Sequence, residues 1–275
     1  MKVQDTNFFK DYIETAIHGD QLGWHERNGG NFTYWLTKEE FELIKEDLNE
    51  TTEWCEIGTK VPYLSNEYFL ISGTGKYFHN MKKDPTNTMG IIKVDDKGEK
   101  YKVCWGFEDG GRPTSELPTH LMNMEVRAKN TYDENRVIYH AHCTNVIAMT
   151  FLLPLQSEIF TRELWESMTE CPVIFPEGVG VVEWMVPGGR DIAVKSSELM
   201  KEKNAIIWAH HGIFCSGKDF DSTFGLMHTI EKSAEIWIKV HSCSKEVLQT
   251  IPVDGFRKLA IDFGVKLDEA SLYEK

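Results

Sequence analysis

The chain has 275 residues, 41% of them hydrophobic and 27% charged, so it can bury a sizeable core without disulfides to hold it. Its 43 acidic and 30 basic residues give a formal net charge of -13, which argues against nucleic acid as a partner. An anionic substrate would have to be held by local hydrogen-bond donors against this overall field.

The cysteines and the N-terminal residues bear on whether the protein is cytoplasmic or secreted. Six cysteines are scattered along the chain without a C-x-x-C pair, and residues 1–5 lack the apolar core of a signal peptide. No apolar run is long enough to span a bilayer. We therefore expect a cytoplasmic protein with reduced thiols and no membrane contact.

The first half of the chain predicts one helix and several strands. The elements are a helix over residues 7–23, strands over 32–36 and 68–72, and a hairpin of strands over 91–95 and 101–105. Residues 37–60 are rich in glutamate, which predicts an acidic, solvated insertion on the surface.

The second half alternates helices and strands. We predict a helix opening at residues 113–116 with Thr114 or Ser115 as N-cap, and a helix over 146–153 capped by Thr144 or Asn145. Further helices are predicted over 158–167, 191–203, 219–240 and 254–263, and further strands over 137–139, 178–185 and 205–209.

The order of these elements indicates the fold class. The chain has no repeat, linker or regular βαβ alternation, and it contains an antiparallel hairpin. It therefore predicts a single α/β domain over residues 1–275, with a mainly antiparallel central sheet flanked by helices.

Two histidines stand at the end of one predicted strand. Side chains alternate faces along a strand, so His140 and His142 point the same way. Two imidazoles on one face form half of a metal site. The spacing alone is equally compatible with one core histidine and one surface histidine that are neighbours by chance.

A third imidazole follows the apolar strand over residues 205–209. Either His210 or His211 can complete the group, since only one of two adjacent side chains faces the H-x-H pair, and spacing alone does not choose between them. Three imidazoles without a thiolate leave an open coordination position, as in catalytic zinc sites.

Glu116 is the candidate general base. A position in the first turn of a helix favours the ionised carboxylate, because the helix dipole is positive there, and a nearby zinc ion would act in the same direction. The alternative is that Glu116 only helps to cap the helix, and the local sequence by itself favours that alternative.

Three short segments offer donors to a phosphate group. They are residues 28–31 (NGGN), residues 73–75 (GTG) and the pair Thr114–Ser115. Each is weak evidence alone, because most glycine-rich turns are only turns. Neither a P-loop nor a Rossmann motif is present in the sequence, so a small phosphorylated metabolite is favoured over a nucleotide.

Eight segments in order along the chain carry a resemblance to the class II aldolase/adducin family. They are residues 23–31 (GWHERNGGN), 73–78 (GTGKYF), 113–120 (PTSELPTH), 140–145 (HAHCTN), 175–180 (FPEGVG), 184–188 (WMVPG), 211–214 (HGIF) and 224–226 (FGL). The resemblance is global, because these segments extend through most of the chain.

The resemblance implies roles for the candidate residues. It implies that one Zn²⁺ per subunit is bound by His140, His142 and His211, which would decide between His210 and His211, and that Glu116 is catalytic. It implies phosphate-binding positions at Asn28, Asn31, Thr74, Thr114 and Ser115. It also implies that the backbone N–H of Gly30 meets the substrate. Threonine at position 74 departs from the more typical serine.

The resemblance also implies an activity and an assembly. The activity is the reversible, zinc-dependent cleavage of L-rhamnulose 1-phosphate to dihydroxyacetone phosphate and L-lactaldehyde, in L-rhamnose catabolism. The assembly is a homotetramer with its sites between subunits, in which Glu170 would be a second catalytic acid that reaches a neighbouring subunit's site.

Other functions remain open at this point. A fuculose-phosphate aldolase, an epimerase or a dehydratase of the same superfamily would keep the fold and the metal but release a different product. A non-catalytic interaction module of this family would be expected to lack the histidines and the glutamate, and all four are present. A zinc hydrolase is conceivable from H-x-H alone.

Overall fold

A computed structural model describes residues 1–244 and 246–273, and its nine strands form one sheet. The strands are β1 (Asn31–Trp35), β2 (Cys55–Glu56), β3 (Tyr68–Ser72), β4 (Met89–Val94), β5 (Lys100–Gly106), β6 (Val137–Ala141), β7 (Gly180–Val182), β8 (Ala205–Trp208) and β9 (Gly212–Gly217). Their order across the sheet is β2-β5-β4-β3-β1-β6-β9-β8-β7. Only the pair β7–β8 is parallel in this sheet of the described residues; all other neighbours are antiparallel.

Helices cover both faces of the sheet. They are α1 (Asn7–Gln21), α2 (Lys38–Ile44), α3 (Pro85–Thr88), α4 (Leu117–Thr131), α5 (Thr144–Met149), α6 (Ser157–Ser167), α7 (Cys171–Ile174), α8 (Arg190–Met200), α9 (Phe220–Cys243) and α10 (Val253–Phe263). The predicted fold class, a mainly antiparallel sheet flanked by helices, is confirmed. The predicted extent of the domain over 1–275 includes positions 245, 274 and 275, which lie outside the described residues.

Strand periodicity divides the apolar residues into two cores. In β6, Val137 and Tyr139 pack into the core that holds α1 and α9, whereas Ile138 packs into the core beside α4 and α8. All five residues of β6 are buried, because helices lie on both of its faces. The end of this central strand, where His140 lies, is therefore held by packing on two sides.

Two predicted helix caps are wrong. The N-cap of α4 is Glu116, not Thr114 or Ser115, and Pro118 occupies the first turn, where proline is well tolerated. The Thr114 hydroxyl instead accepts a hydrogen bond of 3.2 Å from the backbone N–H of Glu116. Glu116 is thus a flanking residue whose side chain is free to point away from the helix.

The second cap is displaced as well. Cys143 is the N-cap of α5, and the helix ends at Met149, earlier than predicted. The hydroxyl of Thr150 donates a hydrogen bond of 2.6 Å to the carbonyl of Ile147, a local bond that competes with continuation of the helix.

The sheet differs from prediction at β7 and β9. Strand β7 ends at Val182 rather than residue 185, because its partner β8 ends opposite it at Trp208. Strand β9 was not predicted, and residues 212–217 include Gly212, Ser216 and Gly217, which are poor strand formers. Pairing with both β6 and β8 overrides that weak propensity.

The acidic segment predicted over 37–60 lies mostly at the surface. Helix α2 begins with a capping box in which Thr37 and Glu40 each bond the other's backbone N–H, and Ile44 packs into the core. That the segment is an insertion relative to relatives stays a prediction. No helix in the two described ranges has the length and apolar character needed to cross a membrane.

Glu50 ties the acidic segment to the sheet. Its carboxylate accepts hydrogen bonds from the Tyr68 hydroxyl, from Lys93 at 2.9 Å and from Lys102 at 3.0 Å. Partial burial opposes ionisation, but these three donors outweigh it and lower the pKa of Glu50 from 4.5 to about 2.

We predict that Glu50→Gln lowers the free energy of unfolding at pH 7 by about 1 kcal/mol, discounted because the group is partly exposed. A depressed pKa stabilises the fold above its ordinary value, and this contribution is lost as pH falls from about 4.5 towards 2. Urea unfolding at several pH values should show the difference from native protein shrinking over that range. Glu53→Gln, at an exposed glutamate of the same segment, is the control; equal effects of both would contradict the assignment.

Candidate metal centre

Three histidines meet at one end of the sheet. His140 is the penultimate residue of β6, and His142 lies just beyond the end of that strand. His211 lies in the three-residue turn between β8 and β9. Their ring centroids are 5.2 Å (His140–His142), 5.0 Å (His140–His211) and 5.0 Å (His142–His211) apart. One ligand nitrogen from each ring lies within 4.8 Å of the others, so the group can hold a metal ion.

The turn between β8 and β9 separates the two adjacent histidines. His210 adopts the left-handed conformation with φ of 60°, and its Nδ1 lies 3.2 Å from the Thr150 hydroxyl. Its ring packs on Phe151 with centroids 4.2 Å apart. The structure thus brings His211, and not His210, to the H-x-H pair.

Protein acceptors occupy one ring nitrogen of each histidine in the pair. His140 Nδ1 donates to the Ile213 carbonyl at 3.0 Å, and His142 Nδ1 donates to the Glu26 carboxylate at 2.6 Å. Both Nε2 atoms are left with a lone pair, and the buried Nε2 of His140 has no hydrogen-bond partner among the described residues. Histidines that bind metals are held in this way by their second nitrogen.

The imidazoles of His140 and His211 are kept neutral, as metal binding requires. Burial lowers the pKa of His140 well below its usual range, and the neighbouring His211 and His142 lower it further. Burial, with His142 nearby, lowers the pKa of His211 to about 4. A set of three imidazoles with an orphaned, buried nitrogen fits a divalent ion such as Zn²⁺.

Glu116 lies beside this group. Its carboxylate oxygens are 3.7 Å from His140 Nε2 and 3.8 Å from His211 Nε2, and its Oε2 accepts a hydrogen bond of 2.9 Å from the Asn31 amide. Burial raises the pKa of Glu116 to about 7, against the lowering effect of Asn31. Burial thus acts against the predicted effect of the helix end, and the ionised state of Glu116 beside a bound zinc ion stays a prediction. A carboxyl group with a pKa near 7 suits proton transfer.

Two of the three predicted phosphate segments lie side by side. Gly73 forms a β-bridge with Pro113, Thr74 N donates to the Arg112 carbonyl, and Thr114 N donates to the Ser72 carbonyl, both at 3.0 Å. The backbone N–H groups of Thr74 and Thr114 are thus used within the protein, whereas the side chain of Ser115 is exposed. Phosphate binding by these two segments stays a prediction.

The NGGN segment packs against the histidines. A Cβ on Gly29 would lie 2.8 Å from His142 Nδ1, and Gly30 has φ of 74° with a Cβ position 2.7 Å from the His140 carbonyl. Glycine is thus needed at both positions for the segment to approach the metal group. Asn28 is exposed, whereas the buried Asn31 is bonded to Glu116 rather than turned to solvent.

Glu170 lies elsewhere in the chain. It is the exposed N-cap of α7, a short helix packed on α9 and α10. No hydrogen bond or ion pair within the described ranges connects it to the histidines or to Glu116 of the same chain. A catalytic role for Glu170 would require another subunit, and it stays a prediction.

The sequence interpretation missed two buried histidines near the site. His25 Nδ1 donates to the Gly29 carbonyl at 3.0 Å, and His25 Nε2 lies 2.6 Å from the Tyr139 hydroxyl. His120 bonds Asn31, the partner of Glu116. A signal for His120 was present, since it is four residues after Glu116 and thus on the same face of a helix.

The mainly antiparallel sheet thus carries, at one end, a three-histidine group that can hold a metal ion and a buried carboxyl beside it. Residues 10–238 match the family model described as Class II Aldolase and Adducin N-terminal domain. The chain therefore belongs to the class II aldolase and adducin family.

Curated relatives make the similarity more specific. The chain is 45% identical over 243 residues to rhamnulose-1-phosphate aldolase of Mannheimia succiniciproducens, covering 88% of this chain and 89% of that protein. It is 42% identical over 265 residues to rhamnulose-1-phosphate aldolase of Listeria innocua, covering 96% of each.

Solved structures show the same fold. A sugar-phosphate aldolase from Thermotoga maritima superposes with a TM-score of 0.75 and 27% identity, covering 87% of this chain and 97% of that one. An L-fuculose 1-phosphate aldolase superposes with a TM-score of 0.62 at 18% identity, covering 94% of this chain and 97% of that one. The second likeness concerns the fold alone.

We predict that His142→Ala loses most of the metal retained by native protein, because one of three imidazole ligands is removed. The measurement is elemental analysis after dialysis against metal-free buffer. His210→Asn is the matched control, because asparagine tolerates the left-handed conformation at this position and the structure turns His210 away. Full retention of metal by His142→Ala would remove His142 from the ligand set.

Proposed function

We propose that the protein catalyses the reversible aldol cleavage of L-rhamnulose 1-phosphate to dihydroxyacetone phosphate and L-lactaldehyde, a lyase reaction of L-rhamnose catabolism. The observation that carries the proposal is the buried Glu116 carboxyl, 3.7 and 3.8 Å from two of three clustered imidazoles. Relatives named rhamnulose-1-phosphate aldolase, 41–45% identical over most of the chain, support the choice of substrate.

The residues His140, His142 and His211 would hold one Zn²⁺ per subunit. Three nitrogen ligands without a thiolate are typical of catalytic rather than structural zinc sites. When bound, the ion supplies a Lewis acid that polarises the ketose carbonyl and stabilises the negative charge left when the carbon–carbon bond breaks.

Glu116 would move the proton. In the synthetic direction its carboxylate accepts a proton from the carbon of dihydroxyacetone phosphate that becomes the nucleophile, and the electron pair of that C–H bond stays on the substrate. In the cleavage direction the carboxyl group returns the proton to the same carbon. Burial supports this role, because the pKa of Glu116 near 7 lets the group both accept and return a proton at neutral pH.

Hydroxyl groups would hold the phosphate. Thr74, Thr114 and Ser115 lie together on the paired loops, with Asn28 and the Gly30 backbone N–H from the NGGN segment completing the set. Local donors of this kind are needed, because the net charge of -13 repels an anionic substrate. Holding the phosphate fixes the reacting carbon beside Glu116.

A second acid would come from a neighbouring subunit. In the proposed homotetramer, Glu170 would donate a proton to the aldehyde oxygen in a site between subunits. The exposed position of Glu170, which has no hydrogen bond or ion pair to the histidines of its own chain among the described residues, is compatible with this arrangement. We place the enzyme in the cytoplasm, in agreement with six free thiols.

The decisive experiment is a cleavage assay on L-rhamnulose, L-fuculose and D-fructose 1-phosphates with metal-loaded protein. We expect dihydroxyacetone phosphate and L-lactaldehyde from the first substrate, at the highest kcat/KM of the three. An isomerised or dehydrated ketose as the main product would instead indicate an epimerase or dehydratase.

We predict that Glu116→Gln retains metal and binds substrate but lowers kcat by about 10²–10⁴-fold, because the amide cannot accept the proton. Exchange of the dihydroxyacetone phosphate C–H into D₂O, measured by NMR without an aldehyde present, should fall by a similar factor. The same metal content in both proteins is the control. Native-like exchange would refute the role of Glu116 as base.

We predict that Thr74→Ala raises KM by about 10-fold with a smaller change in kcat, because one hydrogen bond to a charged phosphate is lost. Thr74→Ser is the matched control, since it keeps the hydroxyl and should keep KM within about 2-fold of native. Steady-state kinetics with L-rhamnulose 1-phosphate measure both. An unchanged KM in Thr74→Ala would remove this loop from the phosphate site.

A further inference from the structure

A chain of four polar side chains leads from the sheet to Glu116. His120 Nδ1 lies 2.8 Å from the Thr33 hydroxyl, His120 Nε2 is hydrogen-bonded to Asn31 Oδ1, and Asn31 Nδ2 donates to Glu116 at 2.9 Å. Thr33 and His120 are fully buried, and neither has a part in the function proposed above.

The two-residue repeat of a strand and the four-residue turn of a helix bring these four side chains together. Asn31 and Thr33 are two residues apart on β1 and so face the same side of the sheet, towards α4. Glu116 and His120 are four residues apart, one turn of helix, and so lie one above the other. Alternate residues of β1 therefore lie between residues one turn apart at the start of α4. Glu116 is bonded to Asn31, Asn31 to His120, and His120 to Thr33.

When Glu116 is the ionised base, the chemistry of the four groups fixes which atom donates and which accepts in each hydrogen bond. A carboxylate only accepts hydrogen bonds, so the NH₂ group of Asn31 faces it and the Asn31 carbonyl faces His120. A carbonyl only accepts, so His120 carries its proton on Nε2. Burial lowers the pKa of His120 to about 3, so the ring is neutral, its Nδ1 is an acceptor, and the Thr33 hydroxyl donates to it.

Loss of His120 would release Asn31. Without His120 the buried Asn31 Oδ1 has no donor, and an unpaired buried acceptor costs about 1–3 kcal/mol, which favours other side-chain rotamers of Asn31. In those rotamers the NH₂ group no longer donates to the Glu116 carboxylate, which loses the contact that holds it beside His140 and His211. The rings of His120 and Phe214 pack edge to face with their centroids 5.5 Å apart, and this contact helps to hold His120 in place.

We propose that His120, held by Thr33, is a positioning residue that orients the Asn31 amide and thereby keeps the Glu116 carboxylate aimed at the substrate carbon. The proposal rests on the proposed function in one respect, the role of Glu116 as the base. His120 acts through Asn31 and does not touch substrate or metal.

The test compares His120→Leu with His120→Gln in the metal-loaded enzyme. Glutamine places an N–H donor where His120 Nε2 lies, whereas leucine has none. We expect His120→Leu to lower kcat and the rate of C–H exchange by about 10–100-fold with KM little changed, as for other residues that orient a reacting group through one hydrogen bond. His120→Gln should recover most of that loss. Metal content and Tm are measured for both.

A second pair of variants tests Thr33, at the end of the hydrogen-bonded series that is farthest from Glu116. Thr33→Val removes the donor to His120 at nearly constant shape, and Thr33→Ser retains it. Valine is a good strand former, so Thr33→Val should still fold in β1. We expect several-fold lower kcat in Thr33→Val and native-like kcat in Thr33→Ser.

NMR of the ¹⁵N-labelled histidine rings gives a readout that is independent of activity. The native protein should carry the His120 ring proton on Nε2, both with and without metal. A proton on Nδ1 would overturn the proposal whatever reaction the enzyme catalyses. So would native kcat in His120→Leu, or a fall in kcat that only follows lost metal, since either result means that His120 does not act through Glu116.

The two proposals fail in distinguishable ways. If the native enzyme does not cleave L-rhamnulose 1-phosphate but exchanges the C–H of dihydroxyacetone phosphate, the proposed function fails and the exchange rates of the four variants still decide the role of His120. If the native enzyme cleaves the substrate and His120→Gln is no better than His120→Leu, the positioning role fails alone.

Discussion

Burial of charge-bearing groups at one end of the sheet is the constraint on which the site depends. Water is excluded around His140 and Glu116, so the imidazole is neutral and the carboxyl has a raised pKa. Both effects would be lost at an exposed position. The cores on the two faces of β6, filled by α1 and α9 on one side and by α4 and α8 on the other, supply that exclusion. The helices that form the two cores therefore also shift the pKa values of the reactive groups.

His140, His142 and Glu116 are each oriented by a hydrogen-bond partner. The Ile213 carbonyl and the Glu26 carboxylate fix two imidazoles, and the Asn31 amide fixes the Glu116 carboxylate. Buried polar groups of this kind stabilise a site only when all partners are present, since an unpaired buried donor or acceptor costs about 1–3 kcal/mol. Hydrogen bonds thus hold these three side chains, while the buried Nε2 of His140 has no partner among the described residues and is left for a metal ion.

Much of this arrangement could be predicted from sequence, and the rest could not for identifiable reasons. The period of a strand was enough to place His140 and His142 together, and the antiparallel class of sheet followed from the element order. The choice of His211 over His210 depends on a backbone angle in a three-residue turn. The pKa of Glu116 depends on burial by distant segments, and the contact between Asn31 and His120 depends on how β1 packs on α4. None of these is encoded locally.

The separation of the histidines along the chain has a thermodynamic consequence. His142 and His211 are about seventy residues apart: His142 follows β6, and His211 lies in the turn between β8 and β9. An unfolded chain does not hold them together, so an ion bound by both acts as a cross-link that closes a long loop in the native state only. Folding and metal occupancy are then linked by mass action, and the resistance of the protein to unfolding rises with the concentration of free metal ion in its surroundings.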